Sequence, residues 1–236
     1  MTRYVLRRIA FMIITLLVIS AGTFWMMHSV PGNPLTNMAK KNLPPQVMEN
    51  FMKKYKLDRP ISEQYVNFLK NAVQGDFGES IIYPGQKISK TIAKTAPVSA
   101  KLGFIALIIG FTIGVTLGFV AALNRGKWPD YVVIAISIMG VTIPSFVMAA
   151  LLQYFLGNKL RWFPITYKAH NWKSMVMPII ALSFGTIATY ARYMRSSVLE
   201  VVNSDYVLTA RAKGVSKMGV LFKHILKNAM IPAITI

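Results

Sequence analysis

The segment Ala210–Pro232 carries the densest group of side chains that could bind an anion. It holds five Lys and Arg residues and one His, contains Gly214 and Gly219, and has no Asp or Glu. Lys and Arg donate charge-assisted hydrogen bonds to phosphate and carboxylate oxygens. The residue types alone therefore fit an interfacial hairpin that anionic lipid headgroups hold at a membrane surface.

Residues suited to catalysis or metal binding are scarce. His28, His170 and His224 lie far apart, with no second His or carboxylate at ligand spacing. The glycines of Gly75–Ser80 are not followed by the Lys-Ser or Lys-Thr of a phosphate-binding loop. The chain has no G-x-S-x-G nucleophile motif and no Cys. We therefore predict a protein that is not an enzyme, with no catalytic residue, metal site or cofactor.

The elements that position these residues are membrane-spanning helices. Hydrophobic residues make up 54% of the chain and charged residues 15%, against roughly a quarter charged in soluble domains. A bilayer core needs about 20 apolar helical residues. The apolar blocks predict spans at 9–30, 98–123, 131–156 and 175–191, and the start of a fifth at 229–236. We expect the chain to be cut within that fifth helix.

The distribution of Lys and Arg in short loops predicts a cytoplasmic N-terminus. On this assignment residues 1–8, 124–130 and 192–228 are cytoplasmic and carry twelve Lys and Arg, whereas the outer loop 157–174 carries four. The cations of that outer loop are an exception to the rule. Because the charges flank spanning blocks, the net charge of +19 points to membrane rather than to nucleic acid.

The first block could also be read as a signal peptide, which has a shorter apolar core and a small-residue cleavage site. Here Phe24–Met27 extend the block beyond Ala21 and Gly22, and this favours an uncleaved span. The outer segment 31–97 has apolar stripes at helical spacing. They predict three short amphipathic helices, one around 47–55, one capped by Ser62 and a shorter one around Ile88. These helices either lie on the membrane face or form a cap packed on the spans.

Two features of the spans concern helix packing. Gly110, Gly114 and Gly118 recur every fourth residue, a spacing that lets another helix backbone approach closely. This face is either a moving interface or a tightly packed one. Pro144 removes a helical hydrogen bond and predicts a kink in the third span, with Thr142 and Ser145 available to satisfy freed backbone groups.

The basic segment itself predicts two short helices. Asp205 is a plausible N-cap for a helix over Tyr206–Lys213, and Gly214 follows as its C-terminal break. A second helix is predicted over Val215–Met230. This helix–turn–helix is expected on the cytoplasmic side, just before the fifth span.

The stretch YVLTARAKGVSKMGVLFKHILKNAMIP resembles the cytoplasmic loop of ABC-importer permeases, in particular the oligopeptide/dipeptide/nickel branch. YVLRRI, GDFGES, PVSAKL and GVTIPSF agree with the first permease subunit of such an importer, and the resemblance covers essentially the whole chain. It implies an all-α integral membrane protein with the ABC-importer permease fold, in a bacterial cytoplasmic membrane. It also implies a second permease subunit, two cytoplasmic ATPase subunits and an extracytoplasmic binding protein as partners, besides membrane lipid.

The resemblance further implies that the first short helix docks on the ATPase. The residues carried over by position are Tyr206, Thr209, Ala210, Arg211, Ala212 and Gly214. Leu208 and Thr209 replace the Glu and first Ala of the general pattern. Family members have two further spans, so we expect the 236 residues alone not to transport. A secondary transporter or channel without an ATPase, and a non-transporting scaffold, stay open as alternatives; the lack of charged residues within the spans argues against the first.

Overall fold

The computed structural model describes residues 1–29 and 57–235, apart from 81, 82 and 84, with isolated positions at 46, 49, 50, 52 and 53. The described residues form helices and no strand. The chain divides into two compact units, Met1–Ala96 and Pro97–Ile236. The first amphipathic stripe predicted in the outer segment, around 47–55, lies mostly outside the described residues.

The first unit pairs a long apolar helix with a short amphipathic one. Helix α1 spans Thr2–Ser29 and α2 spans Ile61–Val73. The Ser20 and Tyr65 hydroxyls are hydrogen-bonded at 2.8 Å, and the Phe24 ring contacts the ring of Tyr65. Helix α2 therefore packs along the last turns of α1, which is the arrangement of a cap packed on a span.

The start of α2 differs from the predicted Ser62 cap. The N-cap position is Pro60, with φ −54° and ψ 146°, and Ser62 already lies inside the helix. Proline suits this boundary because its φ is fixed near the required value and its missing N–H is not needed there.

Helix α3 runs without interruption over Ile88–Leu123. We had predicted a short outer helix around Ile88 and a separate span from residue 98. The helix instead continues through Pro97, which removes only one backbone hydrogen bond. Lys87, Lys90 and Lys94 lower the hydropathy before Pro97, and the two parts therefore looked separate. A helix can nevertheless continue from water into the apolar layer of the membrane without a break in its hydrogen bonding.

The third predicted span is broken sharply. Helix α4 covers Trp128–Thr142 and α5 covers Ser145–Leu152, continuing as a π-helix to Lys159. The two parts meet at 101°, far more than the kink we predicted. Pro144 lies at the N-cap of α5 with ψ 141°, so it ends one helix and begins the next.

Helix α6 spans Lys173–Val202 and extends well beyond the predicted apolar block 175–191. Helix α7 follows over Asp205–Ala212, then α8 over Lys217–Gly219, a π-helix over Val220–Leu226 and α9 over Lys227–Thr235. Among the described residues α1, α3 and α6 are long and apolar enough to cross a membrane, and α4 with α5 adds a fourth if the bent pair is one span.

Candidate coupling site

The coupling segment, residues 203–228, begins with a clear helix start. Ser204 occupies the N-cap with φ −78° and ψ 149°, and Asp205 is the first helical residue rather than the cap we predicted. A carboxylate in the first turn interacts favourably with the positive end of the helix dipole. Asp205 thus supports the start of α7 from one position later than expected.

The end of α7 is fixed by Gly214. Its φ is 74°, in the left-handed region that glycine enters without steric cost. The Gly214 N–H donates to the Arg211 carbonyl at 3.0 Å, and the Val215 N–H donates to the Ala210 carbonyl at 3.2 Å. This pair of bonds is the Schellman arrangement, and it turns the chain back toward α8.

One face of α7 is buried within the chain. Val207 has 0% of its surface exposed and Ala210 has 6%. Both belong to a cluster that also contains the following residues of the second unit: Val115, Ala122, Met194, Val198, Val220, Ile225 and Ala229. The small side chain of Ala210 thus permits close approach to the chain's own core. We had expected it to face a partner.

The opposite face of α7 is open. Tyr206, Thr209, Arg211 and Ala212 are all exposed, as is Gly214. Five of the six residues singled out from the sequence therefore share an accessible surface, and Ala210 is the exception. The surface includes an aromatic ring and a guanidinium, two groups that are enriched in protein–protein interfaces.

The second helical part extends this surface. The Ser216 hydroxyl accepts a hydrogen bond from the Gly219 N–H at 3.2 Å and caps α8. Val220 and Ile225 point into the cluster, whereas Met218 and Phe222 are exposed. The segment therefore presents exposed apolar side chains among its cations while its inner face is fixed to the spanning helices.

A buried ion pair ties α6 to the start of α4. The Arg195 Nη2 donates to the Asp130 Oδ2 at 2.8 Å, and its Nε donates to the Asp130 Oδ1 at 2.5 Å. The Asp130 side chain is 3% exposed and that of Arg195 is 25% exposed. The Gly126 N–H donates to the same carboxylate at 3.0 Å. Every oxygen of the buried carboxylate is thereby paired.

Sequence reasoning missed this pair. Asp130 was placed in a loop and Arg195 was counted as a cytoplasmic cation, and the two are 65 residues apart. The available signal was that Asp130 is an acid in a strongly basic protein, next to a predicted span.

The glycine face of α3 lies against α6. An added Cβ at Gly110 would lie 2.6 Å from the Thr186 Cβ, and one at Gly118 would lie 2.3 Å from the Ala191 carbonyl oxygen. At Gly114 the distance to the Tyr190 Cβ would be 2.7 Å. These helices are as close as their backbones allow, and each glycine is required for that approach.

Pro144 lies apart from the coupling segment. The Thr142 hydroxyl donates to the Ile138 carbonyl at 2.8 Å beside the break, while no side-chain hydrogen bond caps α5 at Pro144. No group of three or more potential metal ligands occurs in the described part of the chain.

Comparisons with known proteins agree with this architecture. Residues 114–236 match the family described as binding-protein-dependent transport system inner membrane component. Residues 1–98 match the N-terminal membrane component of the same systems. The match covers both units of the chain.

Individual relatives align over the whole chain. It is 39% identical over 240 residues to the oligopeptide transport system permease protein OppB of Salmonella typhimurium, covering 100% of this chain and 76% of the relative. It is 38% identical over 236 residues to the dipeptide transport system permease protein DppB of Lactococcus lactis, covering 100% and 77%. The DppB of Bacillus subtilis is likewise 38% identical, over 239 residues.

The chain is thus a multi-pass, all-helical inner-membrane permease. It belongs to the binding-protein-dependent transport family of ABC permeases, and within it to the oligopeptide/dipeptide type.

Proposed function

We propose that this chain lines part of the pathway by which an ATP-driven importer moves peptides across the cytoplasmic membrane. The family is defined by dependence on a binding protein, and the relatives are named for oligopeptide and dipeptide transport. The chain would act with a second permease subunit, two cytoplasmic ATPase subunits and an extracytoplasmic binding protein.

The exposed face of α7 is the docking surface for the ATPase in this proposal. The observation that carries it is the two-sided packing of α7, since Val207 and Ala210 are buried in the chain's own core while Tyr206 and Arg211 face outward. Because the buried face of α7 is packed on other helices, a movement of the ATPase against its exposed face would also move those helices. Those elements include α6, through Met194 and Val198.

The Asp130–Arg195 pair extends this path. Helix α6 carries Arg195, and Asp130 lies in the first turn of α4. A movement of α6 at its cytoplasmic end would therefore be carried to α4, which leads to the break at Pro144. In this account the broken helix α4–α5 is the part of the pathway that moves when the ATPase moves α6. A charged residue within a span is not required.

Charge reversal on the docking surface tests the proposal. Arg211→Glu should lower the amount of ATPase that co-purifies with the chain by about tenfold or more, because charge complementarity governs such interfaces. Lys90→Glu is the matched control, since it reverses an exposed cation far along the chain and should leave ATPase binding unchanged. Lys217→Ala, which removes one exposed charge, should also have little effect. Substrate-stimulated ATP hydrolysis by the reconstituted complex should follow the same order.

The alternatives predict other results. Equal ATPase binding by wild type and Arg211→Glu would contradict docking through α7. Uptake of peptide without any ATPase would indicate a secondary transporter or channel. Absence of ATPase binding together with absence of uptake would indicate a scaffold.

Cysteine labelling tests the orientation on which docking depends. The chain has no native Cys, so single replacements report without background. A cysteine at Lys127 or Lys213 should react with an impermeant thiol reagent only after the cells are opened, whereas one at Lys168 should react in intact cells. The reverse pattern would exclude a cytoplasmic docking segment.

A further inference from the structure

The basic loop between α5 and α6, which the proposed function leaves unexplained, is an ordered structure. The π-helix of α5 ends at Lys159 and the chain folds back, with the Trp162 N–H donating to the Leu156 carbonyl at 2.9 Å. The Ser174 hydroxyl donates to the Asn171 carbonyl at 2.6 Å and lies 3.1 Å from the backbone of Lys168. These contacts fix the path of the loop at both ends.

Arg161 gives a second sign of this order. Its φ of 55° lies in the left-handed region, which residues with a Cβ enter at a cost. Such a conformation persists where the surrounding contacts determine it. Both neighbours of Arg161 are held by backbone hydrogen bonds, because the Leu160 N–H donates to the Phe155 carbonyl and the Trp162 N–H donates to the Leu156 carbonyl, each at 2.9 Å.

This ordered loop presents aromatic side chains outward. Trp162 is 63% exposed and Trp172 is 66% exposed, and Tyr167 is also exposed. The loop joins the bent α4–α5 pair, a fourth candidate span if the pair crosses the membrane as one, to the candidate span α6. With both elements crossing, the loop lies where a span meets water, the level at which Trp and Tyr are enriched because their rings are partly apolar and partly polar.

The charge of the loop has one sign. Residues 157–173 contain Lys159, Arg161, Lys168 and Lys173 and no Asp or Glu. All four cations are exposed, and none of them forms an ion pair with another described residue. Arg161 and Trp162 also line an open groove of about 380 Å³. Unpaired cations beside exposed indole rings fit an amphiphilic partner, in which an anionic group is joined to an apolar chain.

We propose that this loop, with its four cations, is a binding site for the headgroups of anionic phospholipids at the membrane surface. The cations pair with lipid phosphates, the tryptophan rings lie among the upper acyl chains, and the groove beside Arg161 accommodates a headgroup. This site anchors the C-terminal end of the helix that begins at the Pro144 break. The proposal does not depend on ATPase docking.

Fluorescence quenching by brominated lipid tests the site in the whole protein. The chain has four Trp residues, so replacing Trp25 and Trp128 by Phe leaves Trp162 and Trp172 as reporters. The protein is placed in nanodiscs of phosphatidylcholine that contain an equal small fraction of either brominated phosphatidylglycerol or brominated phosphatidylcholine. We expect brominated phosphatidylglycerol to quench the two reporters at a markedly lower mole fraction, with a preference that falls as salt is added.

Two variants distinguish headgroup pairing from a general effect of the loop. Replacing the four cations by Gln should reduce the preference at least tenfold, since each cation near an anionic surface contributes about fivefold. The matched control exchanges Lys for Arg and Arg for Lys at the same four positions. It keeps the charge and should keep the preference.

Three results would overturn the proposal. Equal quenching by the two brominated lipids would show that the loop does not select headgroup charge. A preference that survives neutralisation of the four cations would place the anion site elsewhere. Absence of quenching by either lipid would indicate that a protein surface covers the loop.

Discussion

Two basic segments of the second unit carry similar charge and use their apolar residues in opposite ways. The coupling segment turns Val207, Ala210, Val220 and Ile225 inward, where they pack with α6. The α5–α6 loop turns its tryptophans outward and leaves its cations unpaired. A count of Lys and Arg treats the two segments alike, although one is part of the folded core and the other is an open surface.

The difference lies in the spacing of the apolar residues. In the coupling segment Val207 and Ala210 lie three residues apart in α7, and so form one side of a helix that can be buried. The loop has Trp162, Tyr167 and Trp172 without a helical element between them. The proposed docking on the ATPase uses the first arrangement, and the proposed lipid site uses the second.

The largest effect that separates the segments should come from a buried charge at Ala210. Ala210→Asp places a carboxylate in the cluster and should destabilise the protein by about 3 kcal/mol or more. Membrane abundance and the thermal unfolding midpoint in detergent report the loss. Thr209→Asp is the matched control, because Thr209 is the exposed neighbour and should stay near wild type. Equal unfolding of the two variants would contradict the inward packing of Ala210.

Breaking the buried ion pair should have the next largest effect. Asp130→Asn leaves the Arg195 charge uncompensated and should lower the free energy of unfolding by about 3 kcal/mol. The double variant Asp130→Leu with Arg195→Met removes both charges and should recover part of that loss. Asp205→Asn, at an exposed carboxylate, is the control. The loss in free energy of unfolding in the double variant is compared with the summed losses of the single variants Asp130→Leu and Arg195→Met. Equal values would show that the pair does not act as a unit.

Strain at the turn of the coupling segment should have a smaller effect than loss of the ion pair. Gly214 has positive φ and open space around a built Cβ, so Gly214→Val would cost about 1–2 kcal/mol through backbone conformation alone. The second helical part would be misdirected and ATPase binding should weaken, with little loss of membrane abundance. Gly214→Asn should be milder, because Asn enters the left-handed region more readily. Identical ATPase binding by the two variants would argue against a required left-handed turn.

The sequence predicted the helices better than it predicted where they continue, break and bend. The apolar blocks indicated the spanning helices because bilayer thickness sets their length, and Gly214 indicated the turn because few other residues adopt its conformation. The continuity of α3 was missed since Lys87, Lys90 and Lys94 interrupt its hydropathy but not its hydrogen bonding. The 101° break at Pro144 exceeds what a proline alone implies, because the packing of α4 and α5 on α6 sets the angle.

The site was harder to predict than the elements. Which side of α7 faces out depends on what α6 and α3 place beneath it, so Ala210 was assigned to the wrong face. The Asp130–Arg195 pair joins residues that only the packing of α4 on α6 brings together. Helical spacing in the sequence identifies an apolar face, but the element that packs against this face is determined by the rest of the fold.

Site-specific photocrosslinking tests the contrast between the two segments most directly. Benzoylphenylalanine is placed at Tyr206 in the coupling segment or at Trp162 in the α5–α6 loop, and the complex is irradiated in native membranes. We predict that the Tyr206 position attaches to the ATPase and that the Trp162 position attaches to phospholipid. Attachment of the Tyr206 position to lipid alone, with the ATPase present, would contradict the docking role of the coupling segment.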